Sequence, residues 1–319
     1  MINPVRKTTL KVVKEAKKVK INRGRIENLA KIWIKKKIII PAWPKKLHLQ
    51  TKNKKSLLDY LILLNSLNFC FWSKKEKWGI YYKGKFYDGY FALSLALKNF
   101  FEKNPKKANF DYLAKISFSE FASILKGKGK LLLFKERHRI VKAVSQALLE
   151  KYQGDSVKFV LSANHLAEIL VSKIVKELPF FNDYIYYKNF KVYFLKRAQI
   201  LVSDIWGVFD GRGIGYFNDL DYLTVFSDYK LPQILNHFSV LEYSKDLEEK
   251  ISKKINIPPG SEEETEIRSA AIWAVEYLKK DLEKLGRKFY SFQIDWILWS
   301  KSQKIKMKVP HHLTKTIFY

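Results

Sequence analysis

Apolar residues recur at a 3.6-residue spacing along most of the chain, which predicts helices. Residues 57–71 and 89–101 are expected to form buried helices. Two further segments, 131–152 and 191–206, show the same periodicity. Alternating residues and turn formers around residues 83–88 indicate a small β-hairpin between the first two helices. Because other strand signals are short and few, we predict a mostly α fold with a small β-hairpin possible.

Capping residues indicate where two other helices begin. Ser162 is suited to cap a helix that continues to Leu178. Ser261 and Glu264 have the spacing of a capping box, which predicts the start of a long helix ending at about residue 285. Both helices add to the expected α content.

Positive charge is concentrated at the start of the chain. Lys and Arg total 60 against 31 Asp and Glu, a net charge of +29, and residues 1–55 contribute +16 of it with 18 cations and two Glu. Apolar and basic positions alternate at helical spacing over residues 1–37, which favours a pair of basic helices packed on the protein; a nucleic-acid-binding arm is the alternative. We therefore divide the chain into a basic helical segment, residues 1–55, and a helical body, residues 56–319, that is one compact unit or two subdomains.

Composition narrows the function classes. Of the 60 cations, 51 are Lys, which does not read base edges bidentately as Arg does, so the charge argues for solubility as much as for nucleic-acid recognition. The single cysteine, Cys70, excludes an internal disulfide, an iron–sulfur cluster and a Cys-rich zinc site, and it favours a reducing, cytoplasmic location. No apolar stretch is long enough for a membrane span, and the basic N-terminus lacks the apolar region of a secretory signal.

Charges inside an apolar and aromatic context make residues 193–243 the region most able to carry chemistry. On a helix, Lys196 begins a polar stripe, and Arg197 lies seven residues before Asp204. This spacing also fits a lysine that extends to solvent and a structural Arg–Asp pair. The glycine-rich run at residues 211–215 lacks the preceding strand and the following Lys-Ser/Thr of a phosphate-binding loop, so we expect a flexible turn.

Neither a metal nor an organic cofactor is expected. The carboxylates of Asp210, Asp219 and Asp221 lack the alternation of a calcium loop, so we interpret them as helix caps and turn residues. Near the C-terminus, His311 and His312 are adjacent, and neighbouring side chains diverge too much to share a metal. We predict instead that this last stretch docks on the protein.

Asp228 has two possible roles. It follows an apolar run and precedes Pro232, which would lie in the first turn of the next helix, so Asp228 fits an N-cap. The alternative is a carboxylate held near helix N-terminal amides and facing a cationic transition state. On the following helix, His237 is expected to be a satisfied core histidine rather than a catalyst.

Several motifs together resemble the queuosine salvage family, the queuosine 5′-phosphate N-glycosylase/hydrolases. They occur in order over roughly residues 57–319 and read NFCFW, GYFALSLAL, FLKRAQILVSDIWG, LTVFSDYKLPQILNHF, GSEEETEIRSAAIWAVE, IDWILWS and PHH…TIFY. The resemblance implies a helical catalytic body over residues 56–319, similar in fold to the helix-hairpin-helix DNA glycosylases. It also implies hydrolysis of queuosine 5′-monophosphate to release queuine for salvage, with this small molecule as the partner and no requirement for cofactor, nucleic acid or membrane.

The resemblance also implies site residues. Lys196 in FLKRAQ and Asp228 in SDY match the family's essential Lys and Asp. Two positions depart from the family, because Lys230 stands where Arg is more common and Leu313 stands where the family has a basic residue. These departures bear on how the phosphate is held rather than on the glycosidic chemistry.

The implied chemistry explains the residue types. Cleavage of an N-glycosidic bond passes through an oxocarbenium-like state with positive charge at C1′, which Asp228 would stabilise while activating the attacking water. Queuine is a 7-deazapurine and has no N7 to protonate. Lys196 is therefore expected to assist the leaving base, to position Asp228 or to bind the phosphate, and these three roles stay open.

Further candidates are expected to bind the substrate. Aromatic side chains would stack on the deazapurine, and polar ones would bind its aminomethyl cyclopentenediol arm, which carries a secondary ammonium and two hydroxyls. The stacking candidates, each equally well explained as plain core, are Phe69, Phe71, Trp72, Tyr90 and Trp206. The candidates for the arm are Asp204, Asp88 and Asn68. The other binding candidates are Arg197, Tyr229, His237, His311 and His312.

Two other functions remain as alternatives. A DNA-base glycosylase of the helix-hairpin-helix type would need a glycine hairpin close to Asp228, whereas the run at residues 211–215 lies well upstream. A non-catalytic RNA-binding protein would depend on the basic residues 1–55. The sequence leaves the oligomeric state open.

Overall fold

Helices form most of the chain in the computed structural model, which describes residues 3–319. In chain order they are α1 (Pro4–Glu15), α2 (Arg23–Lys35), α3 (Lys54–Ser66), α4 (Gly89–Lys103), α5 (Phe110–Lys115), α6 (Phe118–Ile124), α7 (Phe134–Tyr152), α8 (Ser156–Leu161), α9 (Ala167–Glu177), α10 (Lys196–Val208), α11 (Lys230–His237), α12 (Lys245–Ser252), α13 (Glu262–Lys284) and α14 (Ser291–Ser302). Single-turn 3-10 helices lie at Lys45–Leu47, Gly213–Gly215 and Leu220–Tyr222. The prediction of a mostly helical protein is confirmed.

The strands of the described residues form three small antiparallel sheets of two strands each. Strands β2 (Gly79–Tyr82) and β3 (Lys85–Asp88) form the hairpin that the sequence predicted. A second hairpin, which the sequence pattern did not predict, joins β4 (Tyr184–Tyr187) to β5 (Phe190–Tyr193). The third sheet pairs β1 (Val19–Ile21) with β6 (Leu241–Tyr243), so it connects the start of the chain to its C-terminal half.

The predicted helix over residues 191–206 is wrong at its start. Residues 191–193 belong to β5, and α10 begins only at Lys196. Leu195 separates the two elements with a left-handed φ of 50°, which an α-helix does not accommodate. A strand of only four residues is too short for its two-residue alternation to be distinguished from the 3.6-residue spacing of the helix that follows, which explains the error.

The predicted helix start at Ser162 is also wrong. Ser162 follows the last residue of α8, and the next helix, α9, begins at Ala167. The carboxylate of Asp219 accepts hydrogen bonds from the backbone N–H groups of Ala167 at 2.5 Å and Glu168 at 2.9 Å. A residue remote in sequence therefore supplies the cap. Asp219 therefore caps a distant helix and not the 3-10 helix that follows it, to which its side chain makes no capping bond, so the prediction of a local cap is wrong.

Other helix boundaries agree more closely. The helix predicted over residues 89–101 is α4, and the capping box at Ser261 opens α13, which ends at Lys284. The helix predicted over residues 57–71 ends earlier, at Ser66, and the one predicted from residue 131 begins at Phe134. The first error falls at a loop whose carbonyls are bound by a distant side chain, Arg137, and the second at Leu133, whose left-handed φ of 55° lies outside helical geometry.

The N-terminal helices pack on the rest of the protein. Helices α1 and α2 lie against α13, with Trp33 buried and the guanidinium Nε of Arg6 3.0 Å from the carboxylate of Glu276. The predicted pair of packed helices is therefore confirmed for the described part of this segment; residues 1 and 2 lie outside the described residues. After α2, residues 38–46 run toward the candidate site described below.

Several expectations concern single features of the chain. Across residues 3–319, no helix combines the length and hydropathy that a bilayer crossing requires. Nor does this part of the chain contain a group of three or more His, Cys, Asp or Glu side chains arranged to hold a metal ion. The expected turn at residues 211–215 is present and contains a 3-10 helix. The C-terminal stretch docks as predicted, since Thr314 accepts a hydrogen bond from the indole of Trp72 and Tyr319 is buried.

Candidate active site

Asp228 lies at the N-terminus of α11. Its Oδ1 accepts hydrogen bonds from the backbone N–H groups of Lys230 at 2.7 Å and Leu231 at 3.0 Å, which confirms the predicted N-cap. Within residues 3–319, Oδ2 accepts no hydrogen bond. The cap thus fixes the carboxylate through one oxygen and leaves the other for a ligand, so the two roles considered for Asp228 are compatible.

Lys196 is the first residue of α10, and only 3% of it is exposed. Its Nζ donates a hydrogen bond to the backbone carbonyl of Asn68 at 3.0 Å. Burial lowers the pKa of Lys196 to about 8, although the nearby carboxyl groups of Asp228 and Asp295 act to raise it. The alternative of a lysine that extends to solvent is therefore wrong.

A buried arginine shapes the loop that follows α3. Arg137, on α7, donates from Nη1 to the carbonyl of Leu67 at 2.5 Å and from Nη2 to the carbonyls of Phe69 and Cys70. Cys70 has a positive φ of 48°, so the loop turns sharply there. These bonds satisfy backbone carbonyls just beyond the C-terminus of α3, where a cation is favourable. The sequence reasoning did not identify Arg137.

The structural pair considered for Arg197 and Asp204 is not formed. Arg197 donates instead to the backbone carbonyls of Ser66 and Phe180, whereas Oδ2 of Asp204 accepts a hydrogen bond from the amide of Asn65 at 2.8 Å. Seven residues span about 10 Å along a helix axis, which is too far for a direct ion pair. Arg197 therefore anchors a loop, and Asp204 is left to border the site.

A cavity of about 260 Å³ opens between α4, α10, α11 and α14. Eleven of the fifteen predicted site residues line it. They are Asn68, Phe69, Phe71, Trp72, Asp88, Tyr90, Lys196, Asp204, Asp228, Tyr229 and His311. The fold thus brings together residues from widely separated parts of the sequence.

Four predicted site residues lie outside this lining. Arg197 is buried in the loop contacts just described, and Trp206 packs on Trp296 with ring centroids 5.9 Å apart. His237 is partly exposed and accepts a hydrogen bond from a backbone N–H, so it is not the core histidine that we expected. His312 is buried, with Nε2 3.3 Å from the hydroxyl of another buried side chain. Each of these four faces a neighbouring element instead of the cavity.

Charged groups follow one another along the cavity in a definite order. Asp204 interacts electrostatically with Lys196, and Lys196 interacts with Asp228. Asp228 in turn interacts with Lys230, which also feels the like charge of Lys77. The site therefore has an acidic end at Asp204, a central pair of opposite charges, and a basic end at Lys230 and Lys77. At this basic end, Asp88 pairs with Lys77 at 2.8 Å.

The acidic end carries a carboxyl group that burial has perturbed. Only 4% of Asp204 is exposed, and desolvation raises its pKa to about 7, against the opposing effects of the Asn65 hydrogen bond and the Lys196 charge. Tyr90 also borders this end, and its hydroxyl bonds to His48 at 2.9 Å. A cationic ligand group would replace the lost hydration and favour the ionised form of Asp204.

Asp295 is a functional candidate that the sequence reasoning missed. It lies on α14 and lines the cavity, and its Oδ1 accepts a hydrogen bond from the N–H of Phe226 at 3.2 Å. Burial and the neighbouring Asp228 raise its pKa well above the ordinary value. The signal was present in the motif IDWILWS, where one carboxyl group interrupts an otherwise apolar helix.

Aromatic rings form much of the remaining wall. The ring of His311 packs on that of Tyr229 with centroids 4.4 Å apart and planes tilted by 33°. Burial, with smaller contributions from Lys230 and Lys77, lowers the pKa of His311 to about 4. The imidazole is therefore neutral near pH 7, and because Nδ1 lies 2.8 Å from the carbonyl of His312, we place its proton on Nδ1.

Part of the wall comes from elements that the sequence reasoning did not assign to the site. Residues 41–44, which precede the predicted catalytic body, line one side and contribute Trp43. Trp296 and Trp299 of α14 line another side, and Trp299 makes an edge contact with Tyr90 at 5.8 Å. Tryptophans at this helix could have been noted from the sequence, whereas the placement of residues 41–44 depends on the path of the chain after α2.

The helical fold encloses a cavity lined by aromatic rings and by charged groups of both signs, which is typical of proteins that bind a small organic molecule. The chain matches the family described as queuosine salvage protein over residues 47–319. The chain belongs to this family, which confirms the resemblance seen in the motifs.

Three relatives illustrate the relationship, each named queuosine 5′-phosphate N-glycosylase/hydrolase. The protein of Sphaerobacter thermophilus is 38% identical over 313 residues, covering 98% of this chain and 96% of the relative. That of Dictyostelium discoideum is 38% identical over 328 aligned positions, covering 99% and 98%. That of Mus musculus is 34% identical over 276 residues, covering 82% of each chain.

Proposed function

We propose that this protein hydrolyses the N-glycosidic bond of queuosine 5′-phosphate and releases queuine for salvage. The order of charges along the cavity is the observation that carries the proposal. Asp204, the Lys196–Asp228 pair, and Lys230 with Lys77 follow one another in the order of the substrate's ammonium arm, glycosidic bond and 5′-phosphate. The names of the relatives support the same substrate.

The mechanism centres on Asp228. As the C1′–N bond breaks, its electron pair leaves with the base and positive charge develops at C1′, which the oriented carboxylate stabilises. Water then adds to C1′ and gives a proton to Oδ2 of Asp228; this proton passes through solvent to the departing base nitrogen, and Asp228 returns to its carboxylate form. The products are queuine and ribose 5-phosphate.

Lys196 and Asp295 adjust the charge around this carboxylate. The ammonium group of Lys196 lies near Asp228, and we assign it to position that carboxylate and to neutralise negative charge on the leaving base. Burial and the neighbouring Asp228 raise the pKa of Asp295, which disfavours a second negative charge beside Asp228. We therefore assign the stabilisation of C1′ to Asp228 rather than to Asp295.

The proposed function is tested by supplying the purified protein with queuosine 5′-phosphate, queuosine and an RNA oligonucleotide that contains queuosine, in parallel. Free queuine is measured by liquid chromatography and mass spectrometry. We expect rapid release from the 5′-phosphate and little from the oligonucleotide. A fourth reaction contains duplex DNA with a damaged base. Release of that base, with no queuine released from queuosine 5′-phosphate, would instead indicate a DNA-base glycosylase.

Lys230→Gln is expected to weaken binding of the phosphate. Lys230 lines the basic end of the cavity, and removal of one charged hydrogen-bond donor to a phosphate should raise KM for queuosine 5′-phosphate by about 10- to 100-fold. The kinetics of the unphosphorylated nucleoside should change much less. Steady-state kinetics on both substrates check this, with Lys253→Gln, a surface lysine paired with Glu249, as the matched control. An equal rise in KM for both substrates would show that the phosphate does not bind at Lys230.

The pH dependence of kcat/KM should reflect the two perturbed groups. Asp204, with its pKa raised to about 7, is protonated below that pH and then cannot pair with the substrate ammonium, so kcat/KM falls as the pH drops through about 7. Lys196, with its pKa lowered to about 8, loses its proton above that pH, so kcat/KM falls again. In Asp204→Asn we expect the acidic limb near pH 7 to disappear and kcat/KM at pH 7.5 to drop by about 10- to 100-fold. Persistence of that limb in the variant would assign it to another group.

The proposal also covers the fold relationship, the location in the cell and the division of the chain. We infer that the fold is related to that of the helix-hairpin-helix DNA glycosylases, on the basis of the mostly helical body and the family resemblance; superposition of an experimental structure tests this. The buried, unpaired Cys70 supports a reducing, cytoplasmic location. Residues 1–55 are proposed as a basic segment that packs on the catalytic body over residues 56–319 and completes its cavity through residues 41–44, and limited proteolysis can test this division.

A further inference from the structure

We propose that the buried ion pair between Asp183 and Arg268 positions Lys196 and Asp228 relative to each other, a role that rests on the function proposed above. Neither partner of this pair lines the cavity, and sequence reasoning selected neither. Both are about 1% exposed, so each charge has left water and depends on the other.

The geometry of the pair is rigid. Nη1 of Arg268 lies 3.1 Å from Oδ1 of Asp183, and Nη2 lies 2.7 Å from Oδ2, which makes two parallel bonds. The guanidinium carbon is also 3.8 Å from the ring centroid of Phe194 and 4.3 Å from that of Tyr319. Since Tyr319 borders the cavity, the guanidinium lies directly behind the cavity wall.

On one side the pair determines where α10 begins. The backbone carbonyl of Asp183 accepts hydrogen bonds from the N–H groups of Phe194 at 3.0 Å and Leu195 at 3.3 Å. Its carboxylate Oδ2 accepts one from the N–H of Lys196 at 3.3 Å. A single residue thus binds three successive N–H groups across the turn at Leu195. The left-handed φ of Leu195 is unfavourable for a residue other than glycine, so it needs such support from its surroundings.

On the other side the pair reaches the catalytic carboxylate. Nε of Arg268 donates a hydrogen bond to the backbone carbonyl of Ser227 at 3.2 Å, and Ser227 directly precedes Asp228. One guanidinium therefore binds Asp183 through two nitrogens and the chain beside Asp228 through the third. A lysine has no planar fork and cannot make these three directed bonds together.

The consequence is a mechanical link between the two groups that act on the substrate. Lys196 lies on α10 and Asp228 at the start of α11, and these helices come from different parts of the chain. A displacement of about 1 Å between groups that must meet one substrate can reduce the rate about 100-fold. Asp204, about two turns further along α10, and Lys77, before β2, are not bonded to the pair, so we expect substrate binding to change less than the chemical step.

The test compares Asp183→Asn/Arg268→Gln with the wild-type protein on queuosine 5′-phosphate. The double variant removes both charges of this pair. Folding is checked by circular dichroism, because the buried Glu264, whose Oε1 lies 3.7 Å from Nη1 of Arg268, then keeps its hydrogen bond from the N–H of Gly260 but loses this cation. We expect kcat per folded molecule to fall about 10- to 100-fold while KM stays within about twofold of wild type. Arg268→Lys, which keeps the charge without the fork, should show the same split between kcat and KM and serves as the second variant if the double variant does not fold.

The matched control is Arg23→Gln/Asp281→Asn. It removes another ion pair of α13, in which Nη2 of Arg23 lies 3.2 Å from Oδ2 of Asp281, and this pair is remote from the cavity. This control should leave kcat unchanged. A folded Asp183/Arg268 variant with wild-type kcat, or with a loss explained entirely by its unfolded fraction, would overturn the positioning role. Inactivity of the wild-type protein on queuosine 5′-phosphate would instead overturn the proposed function.

Discussion

Asp228→Asn is expected to reduce queuine release by about a thousandfold. Asparagine keeps the Oδ1 acceptor for the N–H groups of Lys230 and Leu231, so the cap of α11 and the fold should survive. The variant loses the negative charge that faces the positive C1′ of the transition state. Two opposite unit charges about 4 Å apart at an effective dielectric of about 20 attract each other by about 4 kcal/mol. That energy corresponds to on the order of a thousandfold in rate, which a single-turnover assay of free queuine measures directly.

A neighbouring carboxylate provides the control for this variant. Asp221 is exposed and pairs with Lys279 at 2.7 Å outside the cavity, so Asp221→Asn should retain the wild-type rate. An Asp228→Asn protein that is folded and keeps more than roughly a tenth of wild-type turnover would contradict the catalytic role.

Lys196→Met should cause a loss comparable to that of Asp228→Asn. Methionine fills most of the space of the lysine stem but supplies no charge beside Asp228 and no donor to the carbonyl of Asn68. If Lys196 acts mainly in the transition state, kcat should fall by about a thousandfold with a much smaller change in KM, as steady-state kinetics would show.

The matched control for this lysine is Lys188→Met, which removes an exposed charge paired with Glu15. It should behave as wild type. Near-normal kinetics for Lys196→Met would reduce Lys196 to a structural role in holding the loop at Asn68. An increase in KM alone would assign it to phosphate binding.

Features that depend on local pattern were predictable from the sequence. The helical class follows from the 3.6-residue spacing, and the hairpin of β2 and β3 follows from its alternating residues. The cap at Asp228 follows from its position before α11. Most of the site residues were selected through family motifs, because no local rule brings Phe69, Asp204 and His311 to one cavity.

Features that depend on distant partners were not predictable. Asp219 caps α9 from another part of the chain, which is why Ser162 appeared to be the better candidate. Arg137 draws the loop after α3 out of helical geometry, so the predicted helix ran too far. The perturbation of Asp295 arises from burial beside a second carboxyl group, and periodicity carries no information about either.

The central claim is that the order of charges in the cavity matches the order of groups in the substrate. A crystal structure of Asp228→Asn with queuosine 5′-phosphate bound tests it most directly. We expect the secondary ammonium at Asp204, the phosphate at Lys230 and Lys77, and C1′ about 3.5 Å from the side chain of residue 228. A substrate bound in the reverse direction, or with C1′ remote from residue 228, would contradict the account.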